Sequence, residues 1–202
     1  MHVAVIIVGF RNVPDIERCL GALEESAHED FKVLICENGG DTAYEALTAA
    51  LPPALAGGQQ VRAVKAPGNA GYAGGVNIGM RMTPDADAWW ILNPDTLPDR
   101  QALATLVERL SKGDCQAVGG TQYFADGRVQ SDGGRWRPWL ARAESIGHGR
   151  RLSSAPDARS VERAMNYITG ASMLVSREFV SYPKVVLRPA QSTTSISLLA
   201  AS

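Results

Sequence analysis

The sequence predicts an α/β protein with a mostly parallel sheet flanked by helices, and three observations predict it. Short, continuous apolar runs rich in β-branched residues recur, the first being Val3 to Val8. Between them lie segments whose apolar residues repeat at helical spacing, as at Ile16, Cys19, Leu20 and Leu23. Each run then stops abruptly in small or polar residues: Gly9-Phe10, Glu37-Asn38-Gly39-Gly40 and Asn93-Pro94-Asp95. Strands covered on both faces read as unbroken apolar runs, and their alternation with helices marks a parallel sheet.

Taken in order, Val3 to Val8 is the first strand, and Pro14 suits a first helical position ahead of the Ile16–Leu23 stripe. Phe31 to Cys36 reads as the second strand, followed by a short helix from about Tyr44 to Leu51 that Pro52-Pro53 stops. Val61 to Val64 is the third strand. A glycine-rich segment from Asn69 opens a helix running to about Met82, and Ala88 to Leu92 is the fourth strand. Gln101 to Leu110 is helical again, with Leu103, Leu106, Val107 and Leu110 on one face. After Val118 the pattern changes. Asp126-Gly127 between short extended pieces is a hairpin signal. Ser131 to Arg163, rich in Gly, Arg, Ser and Pro, reads as a long, partly mobile loop. Tyr167 to Val175 returns to core-like composition, and no acidic residue follows Glu178. The expected organisation is 1–121 as an α/β ligand-binding part, 122–180 as a partial second region carrying the loop, and 181–202 as an aberrant tail.

Bulk properties narrow the function. At 202 residues, 45% hydrophobic and 20% charged, the chain suits one soluble domain with a sizeable core. A net charge of −1 argues against nucleic acid as a partner. Arg135, Arg137, Arg142, Arg150 and Arg151 form a loose basic segment, read as a solvated loop in preference to a phosphate or anionic-lipid contact. Cys19, Cys36 and Cys115 lie in or beside apolar patterns without a CxxC pair, which favours buried thiols in a reducing compartment. The first apolar run is too short for a secretory signal and nothing approaches a spanning helix, so a cytoplasmic protein is expected, with room for contact at the inner face of a membrane.

In open α/β sheets, ligands bind outside the carboxyl ends of the strands, so the strand-end residues are the candidate site. Asp95 delivers a carboxylate there; it either ligates a hard cation such as Mg²⁺ alongside phosphates or caps the helix that follows. Glu37 either accepts a hydrogen bond from a base N–H or interacts with a helix start. Gly9-Phe10 is either a close-approach point for a ligand or a simple tight turn. Gly71, Gly74, Gly75 and Gly79 cost a helix roughly 1 kcal/mol each within its helical part, a cost more easily understood if the backbone must come close to something. A dinucleotide fingerprint does not fit, because it should follow the first strand in Gly-x-Gly-x-x-Gly order. His2, His28 and His148 lack metal-ligand spacing, and no Gly-x-Ser-x-Gly elbow is present. Trp136 and Trp139 flank Arg137, as a packing cluster in preference to a platform for sugar or lipid.

Six ordered stretches carry a resemblance: Val3 to Phe10, Ile35 to Gly39, Asn69 to Asn77, Leu92 to Thr96, Asp126 to Ser131 and Tyr167 to Ala171. Together, over about residues 3 to 180, they resemble family-2 glycosyltransferases of the GT-A (Rossmann-like) fold, especially the bacterial rhamnosyltransferase-like branch of cell-surface polysaccharide biosynthesis. The resemblance implies that Phe10 and Glu37 hold the nucleotide base, and that Gly9, Asn69, Gly71, Asn77 and Asn93 belong to the pocket of a nucleotide-sugar donor. It implies that Asp95, standing where relatives carry Asp-x-Asp, ligates Mg²⁺ or Mn²⁺, and that Thr169 and Gly170 border the acceptor. The implied enzyme belongs to the EC 2.4 class. It is metal-dependent and inverting, and moves a sugar such as rhamnose from a dTDP-, UDP- or GDP-sugar to a glycan or lipid-linked acceptor.

Three departures stand out. Glu37 replaces the more usual Asp, and Gly9 replaces a common Asn or Thr. The acidic, aromatic stretch that ends in the general-base Asp is missing after Val180. Residues Gln191 to Ser197 admit codons that, shifted by two bases, read Val-Asp-Asp-Phe-Tyr-Leu, so a frameshift near Val180, an incomplete acceptor region and an absent general base are expected. A catalytically inactive nucleotide-sugar-binding remnant is one alternative. The other is a sugar-phosphate nucleotidyltransferase, for which Gly9-Phe10-Arg11-Asn12 is a poor phosphate loop.

Overall fold

The computed structural model describes residues 1–153 and 156–181. The tail from 182 onward, where most of the expected aberrant segment falls, lies outside the described residues. The described chain forms two compact units, one of residues 1–118 with the segment from 170, the other of residues 119–169.

The first unit is built on a six-stranded sheet. In chain order its elements are β1 (Val3–Gly9), α1 (Val13–Glu24), β2 (Phe31–Glu37), α2 (Asp41–Ala50), β3 (Val61–Lys65) and α3 (Gly71–Met82). There follow β4 (Ala88–Leu92), α4 (Ala102–Leu110) and β5 (Ala117–Gly119), whose last residue begins the second unit. The strand order is β3-β2-β1-β4-β10-β5, where β10 (Ser172–Ser176) comes from the returning segment and leads into α6 (Arg177–Ser181). β1, β2, β3 and β4 run parallel, and β10 is antiparallel to β4, pairing Ser172 with Leu92 and Leu174 with Trp90.

Alternation along β1 explains how one strand serves two helical layers. Val3, Val5 and Ile7 join the core cluster with Ile16, Cys19, Leu20 and Leu23 of α1 and Leu103, Leu106 and Leu110 of α4. Ile6 and Val8 point to the opposite face and meet α3. There the glycines act. A Cβ on Gly79 would lie 2.5 Å from Ile6 Cγ2, and one on Gly75 would lie 2.7 Å from Val8 Cγ1. The close approach that those two glycines permit is therefore between α3 and its own sheet. Close packing of this kind leaves no room for a methyl group.

The second unit contains β6 (Gln122–Tyr123), β7 (Val129–Ser131), β8 (Gly133–Arg137), a 3-10 turn (Pro138–Leu140), β9 (Arg142–Ile146) and α5 (Ala158–Ala164). The Asp126-Gly127 hairpin forms, with Gly127 at φ +76° and Phe124 N–H donating to Arg128 O at 2.8 Å. The long loop expected over Ser131–Arg163 is overturned, because β8 and β9 pair along five residues each. Gly134 reads as a loop residue, yet a Cβ there would lie 2.0 Å from Tyr167 Cζ, so the glycine makes room for a ring. Arg150 is not loosely solvated either: it pairs at 2.9 Å with Asp132, whose side chain is almost wholly buried.

Candidate functional site

The sheet order reverses direction beside β1: β2 and β3 lie on one side and β4 on the other. A crevice at the carboxyl ends of strands on either side of such a reversal is where open α/β sheets bind ligands. Gly9 and Glu37 close β1 and β2, Phe10 follows β1, and Asn69–Gly71 and Asn93–Asp95 come after β3 and β4, so these donor-side residues expected from the sequence belong to strand ends, while Asn77 lies within α3.

Glu37 is the most informative of them. Its side chain is 0% exposed. Its Oε1 accepts hydrogen bonds from the backbone N–H groups of Arg11 (3.1 Å) and Gly39 (2.7 Å). Its Oε2 is buried with no hydrogen-bond partner among the described residues. The helix-start reading fails on this geometry, because α2 begins at Asp41 with Gly40 as its N-cap. Buried polar atoms are almost always satisfied, and an exception calls for a cause.

Two glycines shape the carboxylate's slot. A Cβ on Gly9 would stand 2.6 Å from Glu37 Oε2, and one on Gly39 would stand 2.6 Å from Oε1. Gly9 thus makes space for a protein side chain first. The adjoining surface is aromatic: Phe10 is 51% exposed, and the Arg11 guanidinium lies 5.3 Å from its ring centroid. Arg11 holds a left-handed backbone at φ +57°, and its Nε donates to Gly39 O at 3.3 Å.

Asn38, also buried, ties the second strand end to the start of α3. Its Nδ2 donates to Gly71 O at 3.1 Å and its Oδ1 accepts from Ala70 N–H at 3.3 Å. Asn69 Oδ1 accepts from Gly71 N–H at 3.0 Å, and Gly71 needs its glycine for φ +69°. Asn77 is half-buried on α3. Arg11, Asn38 and Gly39 were not singled out in the sequence. The only signal for them was their position beside Gly9 and Glu37 in two strand-end turns.

Asp95 is exposed just past β4, and no ion pair or hydrogen bond holds its carboxylate among the described residues. Its charge is felt nearby: burial first and Asp95 second push the Cys19 thiol up to about 12 and raise the Tyr72 phenol as well. Tyr72 donates from its hydroxyl to Gly170 O at 2.7 Å, and Asn93 N–H donates to Ala171 O at 2.9 Å. Thr169, in the second unit, accepts from Gln122 Nε2 at 2.6 Å. No group of three His, Cys, Asp or Glu side chains able to hold a metal occurs among the described residues. A lone exposed carboxylate suits only a cation that draws its other ligands from phosphates and water.

The family model described as glycosyl transferase family 2 matches residues 4–181. The chain belongs to glycosyl transferase family 2. No curated protein matches it. Solved structures with the same fold include a mannosyltransferase from Pyrobaculum calidifontis in complex with GDP-Man and Mn²⁺. It is 21% identical with TM-score 0.51, over 60% of this chain and 36% of that one. GalNAc-T7 with UDP, GalNAc and Mn²⁺ is 14% identical with TM-score 0.63, over 89% of this chain and 36% of that one. TarS 1-349 of S. aureus in complex with UDP-GlcNAc is 12% identical with TM-score 0.51, over 63% of this chain and 36% of that one. The glycosyl transferase family 2 chain described here therefore spans little more than a third of the length of these proteins. Its sheet and helices are those of the GT-A fold.

The departures expected at Gly9 and Glu37 share one physical reading. A Glu is one methylene longer than an Asp, and its carboxylate fits here because neither flanking residue carries a Cβ.

Proposed function

We propose that this chain binds a nucleotide-sugar donor at the carboxyl ends of β1, β2 and β4, as the donor half of a glycosyltransferase. The observation that carries the reading is the orphaned, buried Oε2 of Glu37 beside an exposed Phe10. A base N–H supplies the missing hydrogen bond, and Phe10 and Arg11 offer a face on which a base stacks. Gly9, Asn69, Gly71, Asn77 and Asn93 line the rest of the donor pocket, and Thr169 and Gly170 border the acceptor.

Asp95 holds the divalent cation, Mn²⁺ or Mg²⁺, whose chemistry is to neutralise charge building on a departing diphosphate. Two of the solved relatives carry Mn²⁺, and the three carry GDP-Man, UDP or UDP-GlcNAc, which supports a nucleoside-diphosphate donor. The sugar, with rhamnose the first to try, passes to a hydroxyl of a glycan or lipid-linked acceptor. The hydroxyl oxygen bonds to the anomeric carbon from the face opposite the diphosphate as the bond to the nucleoside diphosphate breaks, with inversion. The protein works in the cytoplasm at the inner face of a membrane. Among the described residues no helix is long and apolar enough to cross one.

One observation favours a second reading, donor binding without transfer. Residues 179–202 contain no carboxylate, and a general base must lie within hydrogen-bond reach of the acceptor hydroxyl. The test incubates the chain with UDP-, dTDP- and GDP-sugars and Mn²⁺ and follows nucleoside diphosphate release, with and without glycan acceptors. A parallel incubation with sugar phosphate and nucleoside triphosphate covers nucleotidyl transfer. Acceptor-dependent release supports transfer, and donor binding without it supports the second reading. Nucleotide-sugar synthesis from sugar phosphate would overturn both.

A further inference from the structure

The β8–β9 hairpin ends in an apolar tip that the fold does not use. Trp139 is 97% exposed and Leu140 66%, so the packing cluster expected around Trp139 is not formed. Exposing two large apolar side chains side by side gains nothing for folding, and contiguous exposed patches of this kind mark interaction sites.

Charge surrounds the tip. The last ladder pair before it places Arg137 directly opposite Arg142, a like-charge pairing that weakens a sheet unless something neutralises it. Arg137 also pairs with Glu144 at 2.8 Å, which leaves the pair of guanidinium groups with one carboxylate. The wider segment shares the bias: residues 119–169 hold eight arginines and no lysine against five carboxylates, in a chain whose net charge is −1.

The backbone holds the tip in place. Pro138 opens a 3-10 turn, Ala141 N–H donates to Pro138 O at 3.1 Å, and Ala141 takes a left-handed conformation at φ +44°. That conformation is unfavourable for a residue with a Cβ, and strain of this kind clusters at functional positions. The root of the hairpin is pinned too. Asn166 accepts from Trp136 N–H at 2.7 Å and donates to Trp136 O at 3.0 Å, and Arg135 Nε donates to Ala164 O at 2.9 Å.

We propose that this tip docks on an anionic lipid surface, with Trp139 and Leu140 entering the headgroup–acyl boundary while Arg137 and Arg142 meet lipid phosphates. Tryptophan prefers that boundary, and arginine stems lie along apolar matter while their heads stay wet. The residues next to Trp139 are Pro138, Leu140 and Ala141, so the tip itself is apolar and its charge lies one step back, the layering that a headgroup–acyl boundary requires. The proposal deepens the reading of an enzyme at the inner membrane face and rests on that reading for its purpose.

The test is co-sedimentation of the full chain with phosphatidylcholine vesicles, with and without phosphatidylglycerol, at low and high salt. Binding to the anionic vesicles that weakens with salt is expected. Quenching of tryptophan fluorescence by brominated acyl chains should accompany it and vanish in Trp139→Ala. Trp139→Ala/Leu140→Ser should bind at least about tenfold more weakly, and Arg142→Ala about fivefold more weakly. Both substitutions alter exposed residues, so melting temperature and nucleotide affinity should not move. No vesicle binding, or binding undiminished in the Trp139/Leu140 variant, overturns the proposal, as does quenching of Trp139 by soluble glycans but not by lipid. Loss of nucleotide binding with vesicle binding intact would instead count against the donor reading alone.

Discussion

Replacing Glu37 by Gln separates a carboxylate kept for binding from one kept for folding. Two backbone donors, Arg11 N–H and Gly39 N–H, converge on Oε1, so a glutamine must leave its oxygen there. Its NH₂ then falls where the orphaned Oε2 stands, turning the free acceptor into a donor. A base N–H that had met an oxygen now meets hydrogens. Losing a hydrogen bond to a carboxylate costs about 1.5–3 kcal/mol, roughly tenfold to somewhat over a hundredfold in Kd. Folding should respond the other way, because a neutral amide is cheaper to bury than a carboxylate. Thermal melting of the free variant should therefore stay level or rise. Calorimetric titration with UDP, dTDP and inorganic pyrophosphate reads the first effect, and only the two nucleotides should lose affinity. An equal loss for pyrophosphate, or unchanged affinity for both nucleotides, would refute the base contact.

Asp95→Ala should abolish the Mn²⁺-dependent part of UDP and dTDP affinity while leaving the melting temperature in place, because this exposed carboxylate takes no part in the core; titrations with and without Mn²⁺ check it. Gly9→Ala should weaken nucleotide binding by displacing the Glu37 carboxylate, and Glu37→Asp in the same chain should recover part of the loss, which a double-mutant cycle would measure. Gly79→Ala should cost about 1–3 kcal/mol through overpacking against Ile6, read from denaturant unfolding. Asp30 and Asp85 are held below the usual carboxylate range, first by hydrogen bonds from His2 and Lys32 respectively. Their stabilisation is complete above the unfolded value, about pH 4, and is lost as pH falls through the lowered values. Melting temperature should drop on acidification below that point, and less steeply in Lys32→Met.

From β1 to α4 the elements were legible because each carries its own period: continuous apolar runs for buried strands, and three-and-four spacing for helices. The strand ends were legible for the same reason, since an apolar run that stops in Glu37 or Asp95 advertises where the sheet ends. What escaped depends on contacts between distant residues. Nothing local in Gly133 to Ile146 announces a ladder, and Gly134 is a glycine because of Tyr167, thirty-three positions away. Glu37 likewise looked like an isolated acid. Its orphaned oxygen exists only because Arg11 and Gly39 saturate the other one, and neither donor is visible in composition or spacing. The resemblance pointed to Gly9 as a ligand contact. The structure adds that Gly9 first makes room for a longer acid.

A nucleotide site completed by a metal at the carboxyl end of this sheet has a direct signature in solution. Calorimetric titration of the 202-residue chain with UDP and dTDP, in the presence and absence of Mn²⁺, tests it most directly. Saturable binding of at least one of them is expected, stronger with Mn²⁺, dependent on Glu37 for the base and on Asp95 for the metal increment. No binding of either nucleotide by the folded chain, or binding indifferent to both residues, would contradict it.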